Sequence, residues 1–289
     1  MLVATDFSGG ASSALARVER LPLAPSADVT VVHVAPPALP ARVAKQVRAD
    51  ARRQLGQQVA QLRAGVPGAT VTTTAELAEG EAFVEIIRAA RRADAELIVI
   101  GRHGKGTVRD LLLGTTAQRV IRKGDVPVLI VGAAPTGPYE RLLLPLDLED
   151  TSMLTVRLAL RLIGPSAKTA SVVHAHWVPS EGVVARFPAA ELRAFRQQCE
   201  KSAVEALGRC LEPFAGRNLR WKTTVRFGDP RTVIIAEANR QRPDLIAIGT
   251  HARSGISRVL LGSVAEWVIE RSPCDVLVAR PARFGFQIL

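Results

Sequence analysis

Short runs of apolar residues alternate along this chain with longer segments in which apolar positions recur every three or four residues. The runs, such as 29–34 and 97–100, consist mostly of β-branched and aliphatic residues, the pattern of strands that are buried on both faces. The longer segments place apolar side chains on one face among arginine and glutamine and therefore predict helices, at residues 41–63, 82–93, 189–211 and 232–240. This alternation predicts an α/β fold with a mostly parallel sheet and helices on both of its faces.

The pattern occurs twice at a nearly constant spacing. Asp6 and Asp147 each follow a short apolar run and lie 141 residues apart, as do His33 and His174 in two similar runs. Later matches, such as Gly114 with Gly262, lie 148 residues apart, so one insertion of seven residues in the second copy explains the change. We interpret the chain as two tandem copies of one domain.

The boundary between the copies is marked by a segment rich in proline and glycine. Residues 133–138 read Ala-Ala-Pro-Thr-Gly-Pro and interrupt both the strand and the helix periodicity. The sequence therefore predicts a first domain at 1–134, a linker at 135–138 and a second domain at 139–289.

Composition narrows the class of protein. Apolar residues make up 47% and charged residues 22% of the 289 residues, which is typical of a globular protein. The sequence has no uncharged apolar run of about 18 residues and no signal-peptide pattern at its start, and its three cysteines lack metal-ligand spacing. These features predict a cytoplasmic protein with unpaired thiols.

The net charge of +11 raises the question of a nucleic-acid partner. The excess is spread over both copies, with 17 basic against 12 acidic residues in 1–138 and 21 against 15 in the remainder. Aromatic residues make up only 4% of the chain, so few side chains are present to stack on single-stranded bases. The basicity favours an anionic ligand in general, and a nucleic-acid partner remains the weaker interpretation.

A glycine-rich segment follows the fourth predicted strand of the first copy. Gly101, Gly104 and Gly114 are separated by two and nine residues, and Thr115 comes directly after the last glycine. Glycines allow the backbone to approach a ligand closely, and a helix beginning near Thr115 would present free amides to an anion. In open parallel sheets, ligands bind beyond the carboxyl ends of the strands, so this segment is the predicted phosphate site.

The spacing Gly-x2-Gly-x9-Gly-[Ser/Thr] resembles the nucleotide-binding motif of the universal stress protein family, in its ATP-binding branch. The opening Thr-Asp-Phe-Ser, the flanking Asp-Leu-Leu-Leu-Gly-Thr and the closing Val-Pro-Val-Leu-Ile-Val resemble the same family, and the similarity covers nearly the whole chain twice. It implies two Rossmann-like domains of the adenine nucleotide alpha hydrolase-like type, each with a five-stranded parallel sheet of order 3-2-1-4-5. It also implies pairing of domains through the last strand, within one chain or in a homodimer.

The resemblance also implies a set of ligand-binding positions. Asp6 corresponds to an aspartate beside the nucleotide, Val34 to a backbone contact with adenine and Gly101 to a ribose contact, and Gly104, Gly114 and Thr115 would line the phosphates. Independently of the resemblance, the place of Lys105 in the glycine-rich segment suits an ammonium that reaches the outer phosphates. The implied cofactor is ATP, and Mg²⁺ is expected to accompany it. The predicted site of the first copy comprises Thr5, Asp6, Val34, Gly101, Arg102, Gly104, Lys105, Gly114, Thr115 and Thr116.

The second copy departs from the motif at Ala252, which stands where the first copy has Gly104. A methyl group there would be strained if the position required a positive φ and tolerated if it required only a small side chain. The predicted second site comprises Asp147, Ala175, Gly249, Ala252, Arg253, Gly262, Ser263 and Val264.

Several alternatives stay open at the level of sequence. His103 and His251 lie inside the motif but have no sequence neighbour that would orient a general base, so no catalytic residue is assigned. Asp6 and Asp147 would also suit helix N-caps. We expect an ATP-binding stress-response regulator with at most slow hydrolysis; the alternatives are an interaction scaffold without nucleotide and an adenylyl-transfer enzyme.

Overall fold

The computed structural model describes residues 1–38, 40–66, 71–104, 113–148, 151–165, 167–176, 188–216, 218–250 and 261–280. Lys105, Ala252, Arg253 and His251 lie outside these ranges. The first copy contains strands β1 (Leu2–Ala4), β2 (Asp28–Ala35), β3 (Thr72–Glu79), β4 (Ile98–Gly101) and β5 (Val128–Val131), and helices α1 (Gly9–Val18), α2 (Ala41–Gly65), α3 (Ala82–Arg92) and α4 (Thr115–Lys123).

The second copy repeats this order. Its strands are β6 (Arg141–Pro145), β7 (Thr169–His176), β8 (Arg220–Phe227), β9 (Leu245–Gly249) and β10 (Asp275–Ala279). Its described helices are α5 (Thr151–Leu162), α6 (Ala189–Leu211), α7 (Pro230–Gln241) and α8 (Ser263–Arg271), with a short 3₁₀ turn at Glu212–Phe214. The helices predicted from periodicity are confirmed, and their ends shift by at most two residues.

The strands form one ten-stranded sheet of order β3-β2-β1-β4-β5-β10-β9-β6-β7-β8. Within each copy the order is therefore 3-2-1-4-5 with all strands parallel, as the family resemblance implied. The two copies meet at β5 and β10, which pair antiparallel through Val128 and Val278, Leu129 and Leu277, and Ile130 and Val276. Because this one pair is antiparallel, the carboxyl ends of the strands in the two copies lie at opposite edges of the sheet.

Two apolar layers cover the sheet, one on each face. One layer includes Val3 and Leu55 of the first copy and Leu144 and Leu207 of the second. The other includes Leu2, which precedes Val3 on the same strand, together with buried residues of α3, α4, α7 and α8. Successive strand residues point to opposite faces and both faces are covered, which explains why the strands read as continuous apolar runs.

The duplication extends to backbone conformations that most residues avoid. Phe7 and Leu148 have φ values of 61° and 66°, and both follow the aspartate at the end of the first strand of their copy. Asp94 and Arg242 are a second equivalent pair, at 45° and 47°. Left-handed backbone at a bulky residue is costly, so its recurrence after Asp6 and Asp147 marks a position whose geometry the surrounding fold imposes.

A buried polar cluster lies on one side of the join, and the part of the chain that the structure describes has no equivalent of it on the opposite side. Arg17 on α1 pairs with Asp275 at the start of β10 (Nε to Oδ2, 2.9 Å) and donates to the Gly137 carbonyl of the linker (2.8 Å). The Tyr139 hydroxyl and the Gly132 amide also donate to the Asp275 carboxylate, at 2.7 and 2.9 Å. This carboxylate therefore ties helix α1, the linker and the last strand together.

None of the described helices combines the length and the apolar character needed to cross a membrane.

Candidate functional site

A cleft of about 190 Å³ opens at the carboxyl ends of β1, β2 and β4 in the first copy. We call it the first cleft. The beginnings of α1, α3 and α4 close its sides. It is lined by Ala4, Thr5, Asp6, Ala11, Val32, Val34, Ala82, Ile86, Ile100, Gly101, His103, Gly104, Gly114, Thr115, Thr116 and Ala117. Eight of the ten residues predicted for the first site lie in this lining.

The start of helix α4 forms one wall of the first cleft. Its N-cap, Gly114, has extended geometry (φ −59°, ψ 140°), and no side chain of the described residues caps the helix start. The amide of Gly114 itself donates to the Arg102 carbonyl (2.9 Å), which corrects the expectation that this amide would be free for a ligand. The next amides, from Thr115 to Ala117, are the first of the helix and have no intrahelical acceptor, so they are the amides of this helix start that suit an anion.

Close packing explains the two glycines that precede this helix. A Cβ at Gly101 would lie 2.5 Å from the carbonyl of Gly10 on α1, and a Cβ at Gly104 would lie 2.5 Å from Oδ2 of Asp6. Gly104 does not have a positive φ. Alanine at this position therefore conflicts with the Asp6 carboxylate, which must shift to admit a methyl group, and neither of the two explanations considered from the sequence applies.

Asp6 is held at the floor of the cleft by its local backbone. The Ser8 amide donates to Oδ1 of Asp6 (3.0 Å) and the Phe7 amide donates to the Thr5 hydroxyl (3.1 Å). Ser8, not Asp6, is the N-cap of α1, because its hydroxyl accepts from the Ala11 amide (3.2 Å). The N-cap interpretation of Asp6 is therefore wrong, and its carboxylate faces the cleft and Gly104.

The strand-end histidines are structural. Nδ1 of His33 donates to the Thr5 carbonyl (2.8 Å), and its ring lies 4.3 Å from the Phe7 ring between centroids. His174 makes the same bond to the Leu146 carbonyl at 2.8 Å. In both copies the imidazole supports the backbone turn that carries the aspartate.

The second copy has an equivalent cleft of about 180 Å³, the second cleft. It is lined by Pro145, Leu146, Asp147, Ser152, Thr155, Val173, His174, Ala175, Pro230, Ile234, Ile248, Gly249, Gly262, Val264 and Ala265. Helix α8 begins there as α4 begins in the first cleft, after an extended Gly262 (φ −58°, ψ 142°) and without a side-chain cap. Asp147, Ala175, Gly249, Gly262 and Val264 are thus brought together as predicted, whereas the exposed Ser263 is not part of this lining.

The two clefts differ in the groups they present. The first cleft has hydroxyls at Thr5 and Thr116, where the second has the aliphatic side chains of Leu146 and Val264. In the second cleft a hydroxyl stands instead at Ser152, which donates to Oδ1 of Asp147 (3.0 Å). The second aspartate therefore has a side-chain donor within its own copy.

Arg102 is the one described residue of the predicted first site whose side chain lies elsewhere. Its guanidinium donates to the carbonyls of Ser272 (2.7 Å) and Cys274 (2.8 Å) in the second copy. The side chain is buried, and burial lowers the pKa of the guanidinium from its ordinary value. Its prediction as a ligand contact is wrong, because the antiparallel join brings the end of a helix from the other copy within reach.

Sequence reasoning missed several residues of the first cleft. The side chains of Val32, Ile86 and Ile100 form apolar walls, and they were assigned only to the core. His103, expected as a loop histidine either beside the phosphates or in solvent, lines the cleft, and its Nε2 is buried without a hydrogen-bond partner among the described residues. The cleft walls come from three separate elements, and only the folded arrangement shows which core residues border the opening.

Within the described part of the chain, no group of three or more histidine, cysteine, aspartate or glutamate side chains is arranged to hold a metal ion. Asp6 is the one carboxylate that lines the first cleft among these residues.

Comparison with known proteins places this architecture in a family. A family model described as "Universal stress protein family" matches residues 1–132 and again 138–280. A universal stress protein of Mycolicibacterium smegmatis is 25% identical over 301 residues, with 97% of both chains covered. One from Mycobacterium tuberculosis is 27% identical over 191 residues, and the match covers 65% of this chain and 62% of that relative's length.

A solved structure has the same fold along the whole chain. The crystal structure of a universal stress protein from Archaeoglobus fulgidus aligns with a TM-score of 0.71 and 19% sequence identity, over 98% of this chain and 96% of that chain. At this identity the likeness concerns the fold alone.

Proposed function

The chain belongs to the universal stress protein family, and on that premise we propose that it is a cytoplasmic nucleotide-binding regulator whose first cleft takes ATP. One observation carries the proposal. The uncapped start of α4, the close contact between Gly104 and Asp6, and an apolar recess all meet in a single cleft at the carboxyl ends of the strands.

The two ends of the first cleft suit the two ends of a nucleotide. Val32, Val34 and Ile86 offer an apolar recess for a planar base. The amides from Thr115 to Ala117 and the hydroxyls of Thr115 and Thr116 offer donors to phosphate oxygens. A net charge of +11 adds a general attraction for a polyanion.

Mg²⁺ would enter bound to the phosphates. Magnesium prefers oxygen ligands and commonly keeps one or two carboxylates together with phosphate oxygens and water. Asp6 supplies the one carboxylate of the described lining, and it lies at the floor of the cleft beside Gly104. Its role in this proposal is to hold the cation or the ribose, while the α4 amides hold the phosphates.

A regulatory role is favoured over catalysis by the groups around His103. General-base catalysis needs an imidazole that a second group orients. Nε2 of His103 has no hydrogen-bond partner among the described residues, and Asp6 is engaged by the Ser8 amide. The proposed output is ordering of the segment around α4 on binding, which a partner protein can recognise.

The second cleft is proposed to bind the same ligand class more weakly. Leu146 and Val264 remove two hydroxyl donors that the first cleft has at Thr5 and Thr116. Each aspartate accepts one hydrogen bond at 3.0 Å, Asp6 from the Ser8 amide and Asp147 from the Ser152 hydroxyl, so the difference in affinity is assigned to the two missing hydroxyls.

Mass spectrometry of the protein purified without added nucleotide, followed by calorimetric titration with MgATP, tests the proposal. Two matched variants separate the clefts: Val34→Trp fills the first, and Ala175→Trp fills the equivalent position of the second. We expect Val34→Trp to remove the tighter binding event and Ala175→Trp to leave it. Absence of a bound adenine nucleotide together with no heat of binding at millimolar MgATP would contradict the proposed function.

A further inference from the structure

Two buried arginines cross the join between the copies in opposite directions. Arg102, next to Gly101 of the first cleft, donates to the carbonyls of Ser272 and Cys274 just after helix α8. Arg280, directly after β10, donates to the carbonyls of Ile121, Arg122 and Gly124 at the end of helix α4, the Arg122 bond measuring 3.0 Å. Each arginine therefore binds the carboxyl end of a helix in the other copy.

These two guanidinium groups sit in an unusual environment for positive charges. Arg102 and Arg280 are only 9% and 7% exposed, and neither is in an ion pair among the described residues. The negative end of a helix dipole and the unpaired carbonyls of its last turn supply the compensating charge. Burying a cation costs free energy, so each guanidinium is stable here only while the carbonyls of the helix end stay within hydrogen-bonding distance.

The helices held in this way are those that begin at the clefts. Gly114, Thr115 and Thr116 at the start of α4 line the first cleft, and Gly262 and Val264 at the start of α8 line the second. Each helix has nine residues, so a distance of about 13 Å separates its ends along the axis. A helix of this length behaves as a rigid rod, and movement of its carboxyl end is transmitted to the cleft.

The position of each arginine follows from the antiparallel pairing of β5 and β10. Because the copies point in opposite directions, the carboxyl edge of the first copy lies beside the ends of the helices that enter the strands of the second. The side chain of Arg102 extends along that edge, from beside the first cleft to the end of α8. On the opposite edge, the side chain of Arg280 extends to the end of α4. Gln118 and Glu266, which are equivalent positions on α4 and α8, contact one another across the join (3.1 Å).

We propose that Arg102 and Arg280 are positioning residues for the cleft of the opposite copy: Arg280 positions α4 for the first cleft, and Arg102 positions α8 for the second. Loss of either contact is therefore expected to lower the affinity of the cleft at which the held helix begins. This inference rests on the proposed function, since the affinities concerned are those for a nucleotide.

The test uses the full chain with one cleft filled at a time. In the Ala175→Trp background only the first cleft binds MgATP, and in the Val34→Trp background only the second. We expect Arg280→Met to weaken binding to the first cleft by about tenfold and Arg102→Met to weaken the second by a similar factor, each leaving the other cleft within about twofold. Arg280→Lys should restore part of the affinity, and Arg161→Met, at an exposed arginine paired with Glu96, is the matched control.

Hydrogen exchange without nucleotide keeps this inference separate from the proposed function. Arg280→Met should speed exchange of the amides of α4, and Arg102→Met those of α8. If the parent chain binds no MgATP but these changes appear, the positioning role stands and the proposed function fails. If MgATP binds, three results would overturn the positioning role. Each arginine variant would lower the MgATP affinity only of the cleft in its own copy, lower the affinity of both clefts equally, or lower neither.

Discussion

The first copy presents hydroxyl groups to its cleft at two positions where the second copy presents aliphatic side chains, although the clefts differ by only about 10 Å³ in volume. The frame around them is nearly the same, since Phe7 and Leu148 share a left-handed backbone and His33 and His174 make the same 2.8 Å bond. Backbone and core are thus shared between the two copies, and the clefts differ in a few exchangeable side chains.

The contact between the last two helices of each copy is also retained while the residue types that form it differ. In the first copy, the guanidinium of Arg119 on α4 lies 5.2 Å from the ring centre of Phe83 on α3. At the equivalent positions of the second copy the roles are reversed, and Arg231 on α7 lies 5.6 Å from Trp267 on α8. The cation–π pairing is retained while the two residue types change places.

The join departs furthest from symmetry. Arg17 and Asp275 form a buried pair on one side, where the equivalent positions hold Leu158 and Pro127. Arg102 likewise corresponds to Thr250 and Arg280 to Gly132. If the two domains were identical, each contact at the join would occur twice. These replacements make the join asymmetric, and the covalent linker passes along only one of its sides.

Breaking the one-sided cluster at the join should have the largest effect. Asp275→Ala leaves Arg17 buried without its partner and removes the acceptor of Tyr139 and of the Gly132 amide. We expect the free energy of unfolding in urea to fall by about 3–5 kcal/mol. Asp50→Ala is the matched control, since it removes a partly exposed pair with Arg53 and should cost less than about 1 kcal/mol. Equal losses in the two variants would contradict the assignment of a central role to Asp275.

The packing of α1 against the first cleft is tested by two adjacent glycines. A Cβ at Gly10 would lie 2.1 Å from the His103 carbonyl, whereas a Cβ at Gly9 would have nothing within 4 Å. Gly10→Ala should therefore destabilise the protein by about 1–3 kcal/mol, because one of two packed backbone segments must shift. Gly9→Ala should leave the urea midpoint nearly unchanged. The prediction fails if both substitutions have the same effect.

Exchanging one residue between the motifs should change the relative affinities of the clefts. Gly104→Ala gives the first cleft the residue found in the second and forces the Asp6 carboxylate to move. We expect calorimetry to show roughly tenfold weaker MgATP binding to the first cleft, equivalent to about 1.4 kcal/mol. Ala252→Gly is the reciprocal change and should strengthen the second cleft. Unaltered affinity after Gly104→Ala would show that the contact with Asp6 is unimportant for the ligand.

The smallest effect concerns Tyr139 and pH. Burial, followed by the neighbouring charge of Asp275, raises the pKa of Tyr139 well above its ordinary value of 10.0. Above about pH 10 the unfolded chain loses this proton and the folded chain retains it, so stability should fall as the pH rises through this range. Tyr139→Phe should remove that slope and cost about 0.5–1.5 kcal/mol at neutral pH.

Tyr139 is the one tyrosine in the sequence, so tyrosinate absorbance reports its ionisation directly. The denatured chain provides the control and should titrate near pH 10. Ionisation of the folded protein at that same pH would contradict the buried hydrogen bond to Asp275.

Sequence reasoning captured the fold well because periodicity and duplication are encoded locally. The repeated spacings of Asp6 and His33 identified two copies, and the helix predicted at 189–211 has the ends that the structure gives it. The strand order within each copy came from the family resemblance, since no local pattern records which strands are neighbours.

Residues of the candidate site that belong to a recognisable sequence motif were predicted. Residues that distant elements bring to the cleft were missed. Gly104 and Gly114 stood out because they lie in a spaced motif, and Asp6 stood out because it recurs as Asp147 and matches the family resemblance. Arg102 was misassigned, because its partners Ser272 and Cys274 are about 170 residues away and come within reach only through the β5–β10 pair. Ile86 and Ile100 look like any core residue in the sequence, and only the fold shows that they border an opening.

Amide hydrogen exchange with and without saturating MgATP tests the central claim most directly. The account predicts slower exchange at residues 101–104 and 115–117 of the first cleft, and a smaller change at residues 262–265 of the second. Identical exchange at the first cleft with and without MgATP would contradict the claim that its helix start and glycines bind a nucleotide.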